Sequence, residues 1–197
     1  MHLFLCAFCF LYAKIFIVQY KTRKENIMKK LLWVLGFGLL TVSAADASVF
    51  GFFKTVDDTT NKAKTIVRIY ECGNELCGRI VALFEEDGKT IAETISKPIR
   101  VAEKLAGKPF YDGLDIIWDM SWDARRNEWR DGRIMDPKSG SIYRARLWID
   151  ENDDTRLNVR GQIGPFGRTQ VWHAVPTSDL PADLRNLDVS AWEVVRW

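Results

Sequence analysis

The sequence is poor in the residues that most enzyme chemistry needs. It holds two histidines and four cysteines in 197 residues, and only His173 among the histidines lies beyond the N-terminal stretch. A hydrolytic triad requires a nucleophile, a base and a group that orients the base. No Gly-x-Ser-x-Gly elbow supplies the first, and His173, late on a strand, reads as an ordinary strand residue rather than a base. Phosphate-cradling loops and dinucleotide fingerprints are absent too. The acids Asp112, Asp115, Asp119, Asp123, Asp131 and Asp136 are plentiful but sit mostly at turn or strand-end spacings, where Asp is common. Asp150 to Asp154 lacks the glycine and the bidentate Glu spacing of a calcium loop and reads as a solvated turn. No catalytic residue, metal or cofactor is expected, and the chain is not expected to be an enzyme.

Charge of either sign is also lacking. Formal net charge is +2, and from Ser48 to Trp197 there are 22 Lys+Arg against 24 Asp+Glu, a net of −2. So even a balance leaves no global footprint for nucleic acid or an anionic membrane. What is abundant is aromatic and apolar: 12% aromatic, with eight Trp. That composition belongs to a folded chain, and a body of about 150 residues can bury roughly two thirds of its unfolded surface.

Two apolar stretches open the chain. The second begins Met28-Lys29-Lys30, runs apolar from Leu31 to Val42 and ends Ser43-Ala44-Ala45-Asp46-Ala47. A short cationic region, an apolar run and a small-residue cleavage site are the marks of a signal peptide over 28–47. Cleavage is expected after Ala47, with Ala44 as the alternative. The run is shorter than the ~20 residues a membrane span needs. The first stretch, Leu3 to Tyr20, is broken by Lys14 and followed by Lys21-Thr22-Arg23-Lys24. It reads as a misassigned upstream extension over 1–27, with Met28 the true start; a membrane anchor is the other reading. The mature body is then periplasmic or secreted, with no stable membrane insertion after processing. Cys6 and Cys9 fall in the leader, leaving Cys72 and Cys77. In an oxidising compartment that close pair reads as a disulfide; as half of a zinc site it would lack partners, since only His173 remains.

From residue 48 to 175 the pattern is that of strands. Thr65–Tyr70 is rich in β-branched residues, Gly73-Asn74 supplies turn chemistry, and Arg79–Phe84 returns as the second arm of a hairpin. Leu114–Met120, Trp129–Met135, Ser141–Asp150, Leu157–Ile163 and Arg168–Val175 follow, with Asp136-Pro137-Lys138-Ser139-Gly140 a strong turn. Along 141–150, Tyr143, Ala145, Leu147 and Ile149 share one face and Arg144, Arg146 and Trp148 the other. About seven or eight short, evenly spaced strands argue for an all-β antiparallel sandwich or barrel. Thr90–Gly107 is the exception: Ile91, Ile95, Ile99, Ala102 and Leu105 repeat at helical spacing around Pro98. A loop with one or two short helices is expected there, either plugging the barrel or gating it. After residue 175 the strands stop, and 176–197 reads as a tail with a short helix near Pro181–Leu187 that either docks or floats.

Several separated motifs carry a resemblance. Cys72-Gly73-Asn74-Glu75-Leu76-Cys77-Gly78-Arg79-Ile80-Val81, Trp129-x-Asp131-Gly132-Arg133-Ile134-Met135-Asp136-Pro137-Lys138-Ser139-Gly140 with Tyr143, and Val159-Arg160-Gly161 with Gly167-Arg168-Thr169-Gln170-x-Trp172 resemble the hallmarks of the bacterial family catalogued as domain of unknown function 2147. The resemblance spans roughly Gly51 to Val175. It implies a secreted, lipocalin-like barrel and carries no activity with it. Gly51-Phe52-Phe53-Lys54-Thr55 stands where that family has Gly-x-Trp-x-Thr, with Phe53 in place of Trp. By analogy with lipocalins, Phe53 should pack under Arg168 at the closed end, a structural pair worth about 0.5–2 kcal/mol.

Two functions follow as expectations. In one, the barrel encloses a small apolar or amphipathic ligand, with Phe84, Ile116, Trp118, Tyr143, Leu147 and Val159 as candidate lining; these serve equally well as plain core. In the other, the protein is a cell-envelope interaction module recognising a glycan or protein surface, with Trp122, Trp129, Trp148 and Trp192 as an exposed aromatic platform.

Overall fold

The computed structural model describes residues 48–197; the expected upstream extension and signal peptide lie outside the described residues. Nine strands run in chain order: β1 Gly51–Val56, β2 Ala63–Cys72, β3 Glu75–Phe84, β4 Ile91–Thr94, β5 Asp115–Asp123, β6 Glu128–Met135, β7 Ile142–Asp150, β8 Asp153–Ile163 and β9 Phe166–Ala174. Every pairing is antiparallel, in the order β2-β1-β9-β8-β7-β6-β5-β3-β4, and β2 also pairs with β3. That last pairing closes eight strands into a barrel and leaves β4 as a short edge strand. Closure removes the unpaired edges that would otherwise invite association.

The hairpins form where turn chemistry permits them. Gly73 and Gly140 adopt φ of 74°, the left-handed region open to glycine. Cys72 and Cys77 are disulfide-bonded, with Cα atoms 5.9 Å apart, and Cys72 pairs across the turn with Glu75. Closing so small a loop stabilises by about 2 kcal/mol in the chain-entropy picture.

Alternation sends one face of each strand inward. Val67 and Ile69 of β2, Leu76 and Ile80 of β3, Leu147 of β7, Leu157 and Val159 of β8 and Trp172 of β9 all belong to one buried cluster. A second, smaller cluster lies on the outside of the wall. Phe52, Ile66, Val81 and Ala82 are covered there by Leu180 and Leu184 of the tail. The tail carries a single 3₁₀ turn, Thr177–Asp179, and one helical turn, α1, Ala182–Arg185.

The helical insertion expected over Thr90–Gly107 is not formed. Residues 91–94 are β4, paired with β3 through Ala82↔Thr94 and Leu83↔Glu93, and the rest is turns with an isolated bridge between Val101 and Phe110. The physical reason is local. Thr90, Ile91, Thr94 and Ile95 are β-branched, Pro98 disfavours helix, and the exposed edge of β3 offers backbone partners at once. The helical spacing divides between environments: Ala102 and Leu105 are buried while Ile99 is exposed. This connection runs along one end of the barrel. Just before it, a Cβ on Gly88 would meet Lys62 and Ala63 at the start of β2, and within it Leu105 is what a Cβ on Gly140 of the β6–β7 turn would meet.

Candidate functional site

A cavity of about 640 Å³ opens at the barrel end that carries the β1–β2, β6–β7 and β8–β9 turns. Its inner wall is built from alternating residues of six strands: Ile80, Ile116, Ile134, Tyr143, Val159 and Trp172. Gly161 sits across from Ala145 in the ladder and leaves that stretch of wall bare. A Cβ there would make only ordinary contacts of 3.5 Å to Ile134 and Tyr143.

Polarity is confined to the mouth. On β9 the inward positions 168, 170 and 172 step from the lip to the interior. Arg168 is ion-paired with Asp58, the Gln170 amide donates to Asp58 at 3.4 Å, and the Trp172 indole N–H donates to Gln170 at 3.5 Å. Asp57, next to it, belongs to the turn. Its carboxylate accepts from the Thr59 and Thr60 N–H groups and the Thr60 hydroxyl, and the backbone hydrogen bond from Thr60 leads in holding its pKa below the usual carboxylate range. An apolar interior with a few polar groups at its mouth is the usual make-up of a small-molecule pocket, and about 300–1,000 Å³ is the usual size.

Of the six candidate lining residues, Ile116, Tyr143 and Val159 face this cavity. Trp118 and Leu147 are buried in the main cluster beyond it, and Phe84 packs with the outer cluster under the tail instead. The expected stack of Phe53 on Arg168 does not form. The register sets Phe53 opposite Ala174, six residues from Arg168, so Phe53 closes one end while Arg168 stands at the open one. The arginine–aromatic contact on the neighbouring residue is Arg68 over Phe52, at 4.8 Å. The aromatic platform is likewise not one surface. Trp122 and Trp129 meet at 5.5 Å between ring centroids, with Phe50 beside Trp129. Trp148 lies near Arg146 on the outer face of β7, and Trp192, in the tail, packs edge-on against Tyr70. His173 alternates outward, paired with Lys54 and Arg156 in the ladders and away from the cavity.

Sequence reasoning missed two buried acid sites. Asp115, its side chain wholly buried, accepts from Arg79 Nε at 2.8 Å and Nη2 at 2.7 Å, from the Tyr70 hydroxyl and from the Val195 N–H. Burial raises the Tyr70 pKa, and the Asp115 charge adds to it. Glu93 accepts from the N–H groups of Ile99 and Arg100 and pairs with the Arg100 guanidinium. Asp112 beside it is buried with no donor to either oxygen. Asp112 and Asp115 read as turn or strand-end residues in the sequence because the groups around them, Glu93 for Asp112 and Arg79, Tyr70 and Val195 for Asp115, are distant in sequence. The Arg79 opposite a Leu114-Asp115 strand start was the one available signal.

A family model described as "uncharacterized protein conserved in bacteria (DUF2147)" matches residues 51–174. No curated relative matches the chain. Among solved structures, the chain is similar to protein HP1028 from Helicobacter pylori, described as belonging to the lipocalin family, at 14% identity and a TM-score of 0.53 over 67% of this chain and 86% of that one. At that identity the likeness concerns the fold.

Proposed function

We propose that this chain, which belongs to the DUF2147 family of bacterial proteins, is an exported carrier or sensor that holds a small apolar or amphipathic ligand inside its barrel. One observation carries the reading: an apolar pocket opens at the barrel mouth between Ile134, Tyr143, Gly161 and Ile163, and its floor is the buried core residues Ile80, Ile116 and Val159. A ligand seated in that mouth would bury the apolar surface its walls still expose. The polar string from Trp172 through Gln170 to Arg168 suits a ligand with an apolar body and one polar or anionic head at the mouth. Export is supported by the cationic–apolar–small leader pattern of 28–47 and by the disulfide.

Titration of the purified protein with a fluorescent fatty-acid analogue tests the reading, together with native mass spectrometry of protein isolated from its own host. Saturable binding that a Val159→Trp variant loses is the expected result. A probe that never saturates, with nothing co-purifying, would remove it.

A further inference from the structure

The mouth of the cavity is also where the barrel exposes its most apolar tip. Ile163 and Phe166 are cross-strand partners at the end of the β8–β9 hairpin, turned by Gly164 at φ 55° and by Pro165. They are 62% and 80% exposed, and Ile142, the first residue of β7 at the same end, is 39% exposed. Leaving such side chains in water forgoes the stabilisation that burial would return.

Just below this lip, on the outward face of β6, β7 and β8, arginines stand opposite arginines. Arg133 pairs with Arg144 in the ladder, and Arg130 with Arg146, which pairs in turn with Arg160. Like charges directly opposite are destabilising in a sheet. Arg130 and Arg146 are relieved by Glu128, at 3.4 and 3.7 Å. Arg133, Arg144 and Arg160 have no carboxylate partner among the described residues. Arg160 reaches only the Thr169 hydroxyl, and Arg133 only backbone carbonyls. Lys138 adds an exposed cation in the β6–β7 turn at the same end. The acids nearby are already engaged: Asp58 by Arg168, and Asp57 and Asp136 by donors of their own turns. The near-neutral body thus hides a local basic collar behind an apolar lip.

We propose that this end of the barrel docks on an anionic lipid surface. The Ile163–Phe166 lip enters the boundary between headgroups and acyl chains, and Arg133, Arg144 and Arg160 meet lipid phosphates. Apolar side chains backed by arginines are what an interfacial element needs, and guanidinium forks match phosphate oxygens. A ligand would then pass between bilayer and cavity without crossing water, a step that rests on the ligand-binding reading above. The lipid contact itself is testable apart from it.

Co-sedimentation with vesicles of phosphatidylcholine, alone and mixed with phosphatidylglycerol, is the experiment, with all variants made in the same chain. The wild type should favour the mixed vesicles and lose that preference as salt rises. Ile163→Ser with Phe166→Ser should weaken partitioning at least about tenfold. Arg133→Gln, Arg144→Gln and Arg160→Gln should each weaken it about fivefold, on the anionic vesicles only. The arginine variants, which lie outside the pocket lining, should keep the fluorescent fatty-acid binding of the wild type in solution, which also shows that they fold; folding of the lip variant, whose residues line the pocket mouth, is checked by circular dichroism and thermal unfolding. Unchanged partitioning of the lip variant would overturn the proposal. So would arginine variants that lose binding to soluble polyphosphate while vesicle binding is unaffected, which would mark a polymer site instead. Loss of probe binding by the wild type alone would strike the ligand reading and leave the docking intact.

Discussion

Glu93 and Asp112 are buried side by side in the connection between β3 and β5, and their chemistry is set by who holds the protons. Glu93 already accepts two backbone N–H groups and the Arg100 guanidinium, whereas Asp112 meets no donor. Burial first, and then the charge and hydrogen bonding of Glu93, push the Asp112 pKa up to about 7, with Arg100 pulling the other way. The folded state therefore holds a proton that the unfolded chain, with an ordinary Asp near 3.8, gives up earlier. Stability from this group is greatest below about pH 4, falls as pH rises toward 7, and is lower by up to about 4 kcal/mol above it. Asp112→Asn should flatten that slope and raise stability at pH 8, because the amide donates to Glu93 without carrying charge. Urea unfolding at a series of pH values measures this, and parallel pH profiles for the two proteins would contradict it. None of this was visible in the sequence. Asp112 there is one acid among many near turns, and its neighbour is brought in only by the pairing of β4 with β3.

At the scale of elements, the tail is the part whose behaviour the sequence left open, and buried charge decides it. Arg79 lies 4.4 Å over the Trp192 ring and donates to the Glu193 carbonyl at 2.7 Å. Asp115 holds the Val195 N–H, and the Trp197 indole donates to the Asp115 carbonyl at 3.1 Å. The same ion pair that joins β3 to β5 therefore straps the C-terminus over Tyr70. Arg79→Leu should cost about 3–5 kcal/mol, since it leaves a buried carboxylate without its partner, and should free the tail to proteases. Adding Asp115→Leu should recover much of that loss. Chemical denaturation and limited proteolysis read both effects, and a single variant costing under about 1 kcal/mol would mean that packing, not charge, holds the tail. The strands themselves were legible, because alternation such as Tyr143, Ala145 and Leu147 against Arg144 and Arg146 reports a half-buried sheet directly. Helical spacing in Thr90–Gly107 misled, because it registered which residues are apolar and not the free edge of β3 that claimed their backbone.

For the whole molecule, the decisive feature is how the barrel closes, and closure is a long-range fact. The pairing of β1 with β9 fixes Phe53 against Ala174 and so sends Arg168 to the mouth; no local pattern specifies that register. The same stagger leaves the wall around Gly161 unfilled, while Trp118 and Leu147 pack solidly beyond the cavity. Cavity and core residues look alike in sequence because both are apolar and both face inward. They differ only in what stands across from them. Gly161→Phe separates the two possibilities. Its Cβ has room, and the ring would project into the cavity. If the space is a true void kept for a ligand, the variant should lose the fatty-acid probe yet gain about 0.5–2 kcal/mol of stability, as filling an apolar cavity does. If the interior were instead tightly filled, the same ring would overpack it and cost about 1–3 kcal/mol. Thermal unfolding with and without the probe distinguishes these outcomes, because a ligand that binds only the folded barrel raises the wild-type midpoint in proportion to ligand excess over its dissociation constant. The filled variant should show no such rise. A Gly161→Phe protein that is less stable and still binds would mean that ligand recognition lies elsewhere on the barrel.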